Sequence, residues 1–297
     1  MTETVKVTSL EPLTFSRYQQ DFKICESIIK KQSKSFYAAF SQLPHPDNWA
    51  VYAIYAFCRQ ADDLIDEAED VDGLECLKQQ LNDFIDKQII PNTPMWRALA
   101  VVFQHYPMSA DPFYDMLYGQ KQDSQFEQPE TIADLSEYSY YVAGSVGLML
   151  LPILSDVPSQ LVSRGKQIGE AMQVTNILRD VGEDFANHRI YLPRTLLKKH
   201  GVDNRMFIQE SPSQELIAAW EELAKRAESL YEEGLELTAG LKPKARFPFV
   251  AACVYYRAIL TAVRNNHYQM LHQRQVVSAK HKFKLIPEIQ HLINKYS

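Results

Sequence analysis

Glycine is scarce in this chain, with 10 among 297 residues. No GxGxxG run is present, which removes support for a Rossmann-type nucleotide site. Nor is there a strand–turn–strand rhythm. The four cysteines, Cys25, Cys58, Cys76 and Cys253, show no CxxC spacing. A structural zinc site or a disulfide framework is therefore not expected, and a reducing cytoplasm fits. No apolar run reaches the roughly 20 residues of a membrane-spanning helix. The longest, Tyr140–Leu154, contains Pro152 and reads as a buried core helix. Contact at a membrane surface is the most it allows. Residues 1–16 lack the charged-then-apolar layout of a signal peptide and are expected to be loose. The net charge of -6 argues against a nucleic-acid partner held through phosphates. An anionic ligand would need a local attractor, and a divalent metal ion is the obvious one.

Helical periodicity dominates what is present. It predicts helices near 17–32, 47–68, 73–88, 95–106, 110–120, 130–155, 158–187, 213–241 and 245–273. Prolines such as Pro44, Pro46, Pro91, Pro94, Pro107, Pro152 and Pro243 mark the expected breaks. No internal repeat or low-complexity linker divides the chain. The simplest expectation is one all-α domain over 17–297.

Two of these helices share a design. In Val51–Glu67, the residues Val51, Ile54, Cys58, Ala61 and Ile65 recur at spacings of three and four and make one apolar face. Tyr55, Arg59, Asp62 and Asp66 form a second stripe about 100° around the helix. Asp62 and Asp66 lie one turn apart and repel by a few tenths of a kcal/mol, a cost that a cation between them removes. In Ile168–Phe185, the apolar face is Ala171, Val174, Leu178, Val181 and Phe185. Gln173, Asn176, Asp180 and Asp184 run down an adjacent stripe, with Arg179 beside it. Hard oxygen donors of this kind suit Mg²⁺, which binds through one or two carboxylates plus substrate phosphates. Acidic pairs at this spacing are also common on solvated helix faces. Two pairs, each flanking an apolar face and each beside an arginine, favour the metal-site reading.

DDLID at Asp62–Asp66 and QVTNILRDVGED at Gln173–Asp184 resemble the paired aspartate-rich motifs of squalene and phytoene synthases. SKSF at Ser33–Phe36 is similar to the family's N-terminal substrate motif, YYVAGSVG at Tyr140–Gly147 to its central motif, and NHRIYLP at Asn187–Pro193 to the segment after the second aspartate motif. Within the family, the chain looks most like bacterial dehydrosqualene (4,4'-diapophytoene) synthases. The matches run from residue 20 to about 275.

The resemblance implies a class I isoprenoid (terpenoid) synthase fold, all-α, with a deep central cavity and the two aspartate helices facing each other across its mouth. It implies three Mg²⁺ ions held with diphosphates by Asp62, Asp66, Asn176, Asp180 and Asp184. Arg59, Gln173 and Arg179 would contact diphosphate, with Ser33, Lys34 and Ser35 completing that site. A basic residue near Lys280 could also reach it. Tyr55 and Tyr256 match channel-lining tyrosines. Alternatively, Ser33 and Ser35 could start or cap a helix, Tyr256 and Phe36 could be core packing, and Lys280–Lys284 could be a solvated run. Gln32 stands where relatives often carry histidine, so no proton transfer is assigned there.

Carbocation chemistry needs dry apolar walls, which Val142–Leu154 would supply. The rings of Tyr140 and Tyr141 could steady positive charge. Phe40, one turn after Phe36, could close the cavity floor and select a fifteen-carbon substrate. The implied activity is head-to-head joining of two farnesyl diphosphates to dehydrosqualene in carotenoid biosynthesis, without NADPH, in the cytoplasm and with peripheral membrane contact for product release. A phytoene synthase, an NADPH-using squalene synthase, a prenyl diphosphate phosphatase and a non-catalytic scaffold of the same fold are the competing readings.

Overall fold

In the computed structural model, which describes residues 12–66 and 68–297, every regular element among the described residues is helical. The chain begins with α1 (Gln19–Gln32), α2 (Lys34–Phe40), α3 (Asp47–Asp66), α4 (Val71–Asp86), α5 (Pro94–His105) and α6 (Asp111–Asp123). It continues with α7 (Ile132–Ser139), α8 (Ser145–Leu154), α9 (Val162–Arg179), α10 (Val181–Ala186) and α11 (Arg194–His200). Last come α12 (Gln214–Gly234), α13 (Pro243–Asn265), α14 (Ala279–Lys284) and α15 (Ile286–Tyr296). Their starts follow from local chemistry. Thr93 accepts from the Trp96 N–H while Pro94 takes the first turn of α5. Asp70 accepts from the Gly73 N–H to open α4, and Thr131 and Asp134 form a reciprocal capping box at α7.

Two compact units result. The first takes the described chain up to Gln125 with Ser145–Val162 and Gly240–Phe249; the second takes Phe126–Gly144, Ser163–Ala239 and Val250–Ser297. In the first, α3 packs against α1, α5, α6 and α8. Its aromatic core includes Phe57, Phe84, Trp96, Phe103 and Phe113, all at most 2% exposed. In the second, α9 is pinned to α12 along its length. Glu170 accepts from Arg226, the Thr175 and Tyr231 hydroxyls lie 3.0 Å apart, and Trp220 Nε1 donates to the Leu178 carbonyl at 2.8 Å. These bonds hold the helix end that leads into Asp180.

Several expectations meet corrections. The loose segment expected over 1–16 falls, for residues 1–11, outside the described residues. In the rest of it, Leu13 is buried, its N–H donates to Gln104 Oε1 at 3.1 Å, and Phe15 stacks on Phe22. Burial of these apolar residues ties the segment down. The continuous helix expected over 130–155 is interrupted by a π-turn at Tyr140–Gly144, and Pro152 sits inside α8 without ending it. The helix expected over 158–187 breaks at Asp180, between α9 and α10. α13 is long and apolar enough to cross a membrane, but Val250, Ala251, Ala252, Leu260 and Val263 within it are fully buried in the protein.

Candidate active site

The first aspartate motif belongs to the first unit. Val51, Ile54, Cys58, Ala61 and Ile65 are all buried, so the apolar face of α3 is turned inward as its spacing predicts. Tyr55, Arg59 and Asp62 lie at the margin and Asp66 is exposed. Arg59 pairs with Asp63 one turn on. Asp62 accepts from the Gln120 amide of α6. Burial pushes the Asp62 carboxyl up to about 8; the charges of Asp66, Asp63 and Asp123 add to this and Arg59 opposes it. Several carboxylates therefore surround a single arginine, an imbalance that a divalent cation relieves. Among the described residues, no three His, Cys, Asp or Glu side chains are grouped closely enough to hold a metal ion by themselves. The donor set fits Mg²⁺ of the kind that takes its remaining ligands from phosphate oxygens.

Leading away from that stripe is a short aromatic ladder. The Tyr55 and Phe36 ring centroids lie 6.0 Å apart, and those of Phe36 and Phe40 lie 4.4 Å apart. Phe36 is half-buried, while Phe40 is 2% exposed and ends the ladder. Ser33 stands at the break between α1 and α2, and its hydroxyl makes no capping hydrogen bond. Lys34 and Gln32 are exposed and Ser35 is half-buried.

The second motif belongs to the second unit. Gln173 and Asn176 share a hydrogen bond on α9 (3.3 Å). Asp180 sits at the joint before α10, where its N–H donates to Asn176 and its carbonyl accepts from Asp184, so the helical register survives the break. Arg179 grips Asp180 in a two-pronged pair, Nε to Oδ1 at 2.7 Å and Nη2 to Oδ2 at 2.5 Å. Burial would lower the Arg179 pKa, but the Asp180 pair outweighs it and the net shift is upward. Arg274 adds a second cation, 3.3 Å from Asp180 Oδ1 and 3.1 Å from Glu183. Tyr256 lies in the neighbourhood of Arg179. Gly182 explains the joint. A Cβ there would meet the Leu271 carbonyl oxygen at 1.8 Å, so only glycine lets the 269–271 turn approach and carry Arg274 with it.

Tyr140 and Tyr141 lie in the π-turn, 5.2 Å between centroids. The Tyr140 face holds the Lys166 ammonium at 4.1 Å. The turn packs on Gly169, whose Cβ would lie 2.4 Å from the Gly144 Cα. Lys280 is exposed, and Lys282 is buried rather than part of a solvated run. Sequence reasoning missed Asp63, Gln120, Asp123 and Arg274. Asp63 was legible as the second residue of DDLID. The others come from distant segments and carry no local signal.

The architecture and its two aspartate motifs are those of the all-helical terpenoid synthase fold. A solved dehydrosqualene synthase in complex with ligand superimposes with a TM-score of 0.92 at 50% identity, covering 95% of this chain and 99% of that one. The squalene/phytoene synthase family profile matches residues 29–281, and the chain belongs to that family of prenyl-transferring enzymes. It is 37% identical to a 4,4'-diapophytoene synthase of Staphylococcus haemolyticus (strain JCSC1435) over 276 residues, 91% of this chain and 96% of the relative. It is 32% identical to a chloroplastic phytoene synthase of Daucus carota over 89% of this chain and 68% of that protein.

Proposed function

We propose that the protein joins two farnesyl diphosphates head-to-head to give dehydrosqualene, with Mg²⁺ and without NADPH. The observation that carries this reading is the pair of aspartate motifs, each tied to an arginine, in a chain that matches the family across both. Likeness to proteins named dehydrosqualene and 4,4'-diapophytoene synthase supports the product. The buried end of the ladder at Phe40 supports the shorter substrate.

When bound, Mg²⁺ would neutralise the diphosphate leaving group. Asp62 and Asp66 would hold metal in the first unit, and Asn176, Asp180 and Asp184 in the second. In the first unit Arg59, with Ser33, Lys34 and Ser35, would bind diphosphate oxygens, and in the second Gln173 and Arg179 would; the planar fork of arginine suits the task. Arg179 and Asp180 satisfy each other now and would exchange partners when ligand binds. Ionisation of one allylic diphosphate releases the first diphosphate. The double bond of the second substrate attacks the cation, and loss of a proton closes a cyclopropylcarbinyl diphosphate. A second ionisation expels the second diphosphate, rearrangement gives the 1-1' bond, and loss of another proton gives the neutral triene at its centre. The apolar residues of Val142–Leu154 would exclude water meanwhile, and the rings of Tyr140 and Tyr141 would steady the cation. A cytoplasmic location belongs to the same proposal.

Diphosphate release from farnesyl diphosphate tests the metal and its ligands. It should require Mg²⁺, stop with EDTA, and be lost in Asp62→Asn and in Asp180→Asn. Release that persists in EDTA or in both variants would overturn the assignment. The likeness to phytoene synthase favours one second reading, the twenty-carbon substrate. Parallel assays with geranylgeranyl diphosphate separate the two.

A further inference from the structure

Between Glu236 and Glu288 the chain carries no aspartate or glutamate, although the whole protein has a net charge of -6. The end of that stretch forms an outward ridge on the second unit. Two anchors fix its orientation. Val277 is buried with Ala258 and Ile259, with Tyr256 and Leu285 packed against them. Lys282 is 8% exposed, with its ammonium 5.5 Å from the centre of the Tyr255 ring. With those residues turned in, Val276 and Phe283 are turned out, each 74% exposed. Lys280 and Lys284 are exposed beside them. Lone exposed apolar residues are ordinary. Two that stand almost free among basic residues, with no acid within the segment, are not. The next acid along the chain, Glu288, is engaged by Arg257 at 2.5 Å.

We propose that this ridge docks the protein on an anionic phospholipid bilayer. Apolar tips flanked by basic side chains suit the lipid interface, where the tips enter the acyl boundary and the ammonium groups meet phosphate. The basic ridge complements an anionic surface that would repel the rest of this acidic protein. The inner side of the same segment joins the apolar cluster against which Tyr256 packs, so docking would bring a candidate channel wall close to lipid, the phase in which a hydrocarbon product dissolves. That use rests on the function proposed above; the docking itself does not.

The test is co-sedimentation of the full chain with vesicles of phosphatidylcholine alone or mixed with phosphatidylglycerol, at low and high salt. Binding should require the anionic lipid and weaken as salt screens it. Lys284→Glu should weaken binding about five-fold or more. Val276→Ser with Phe283→Ser should weaken it about ten-fold, with an unchanged melting temperature. No binding to anionic vesicles at low salt, equal binding to both vesicle types, or wild-type binding by the combined triple variant would overturn the proposal. So would a dimer in solution that the Val276→Ser, Phe283→Ser variant dissociates, because the ridge would then serve a second copy of this chain. Turnover is not read, so the docking and the catalytic reading can fail independently.

Discussion

Burial and the neighbouring charge of Asp66 raise Asp62 from an ordinary 3.8 to about 8, so near neutral pH the metal-free protein keeps this carboxyl protonated. The native state binds that proton more tightly than the unfolded chain does. Its stabilisation is complete below pH 4 and is lost as pH rises towards 8, at most about 1.4 kcal/mol per unit. Asp62→Asn removes the dependence. In EDTA at pH 8 this variant should melt above the parent, while its turnover falls at least about a hundred-fold with Mg²⁺ present. A variant that melts lower at pH 8 would show that the carboxylate is not strained. Metal binding must displace the proton, so Mg²⁺ affinity should rise with pH up to about 8. Gln120 acts through Asp62, whose carboxylate it orients. Gln120→Leu should raise the Mg²⁺ concentration for half-maximal activity about ten-fold with a smaller loss in kcat. An unchanged Mg²⁺ requirement would refute the positioning role.

Helical elements set the spacing of these residues, and two of them test the fit directly. Gly182→Ala would press a methyl group against the Leu271 carbonyl, a backbone atom that cannot swing away. A loss of about 2–4 kcal/mol, read as a lower melting temperature, is expected. A neutral result would mean that the joint at Asp180 relaxes freely. Phe40→Ala should cost about 3–5 kcal/mol as a large buried ring is lost, and should admit geranylgeranyl diphosphate. Unchanged chain-length preference would sink the role given to Phe40. The long helices were legible because two turns or more of apolar repeat identify a buried face, as Val51 to Ile65 does in α3. The six- and seven-residue helices α2, α11 and α14 hold too few turns for a repeat to register. The break at Asp180 was hidden because the apolar spacing continues across it from Leu178 to Val181.

On the scale of the whole molecule, the aspartate motifs could be read from the sequence because each lies within a single stretch of chain. Their supports could not. Gln120 reaches Asp62 across 58 residues, and Arg274 reaches Asp180 from beyond α13, contacts that only tertiary folding creates. The division into two units was equally hidden, since each unit is assembled from separated stretches. The reaction proposed is a coupling that ends in proton loss. The most direct test is to incubate the purified protein with Mg²⁺ and farnesyl diphosphate, with and without NADPH, and to identify the extracted hydrocarbon by mass spectrometry. Dehydrosqualene is expected in both reactions, at the same rate. Squalene formed only with NADPH, farnesol alone, or no turnover of farnesyl diphosphate would contradict the proposal.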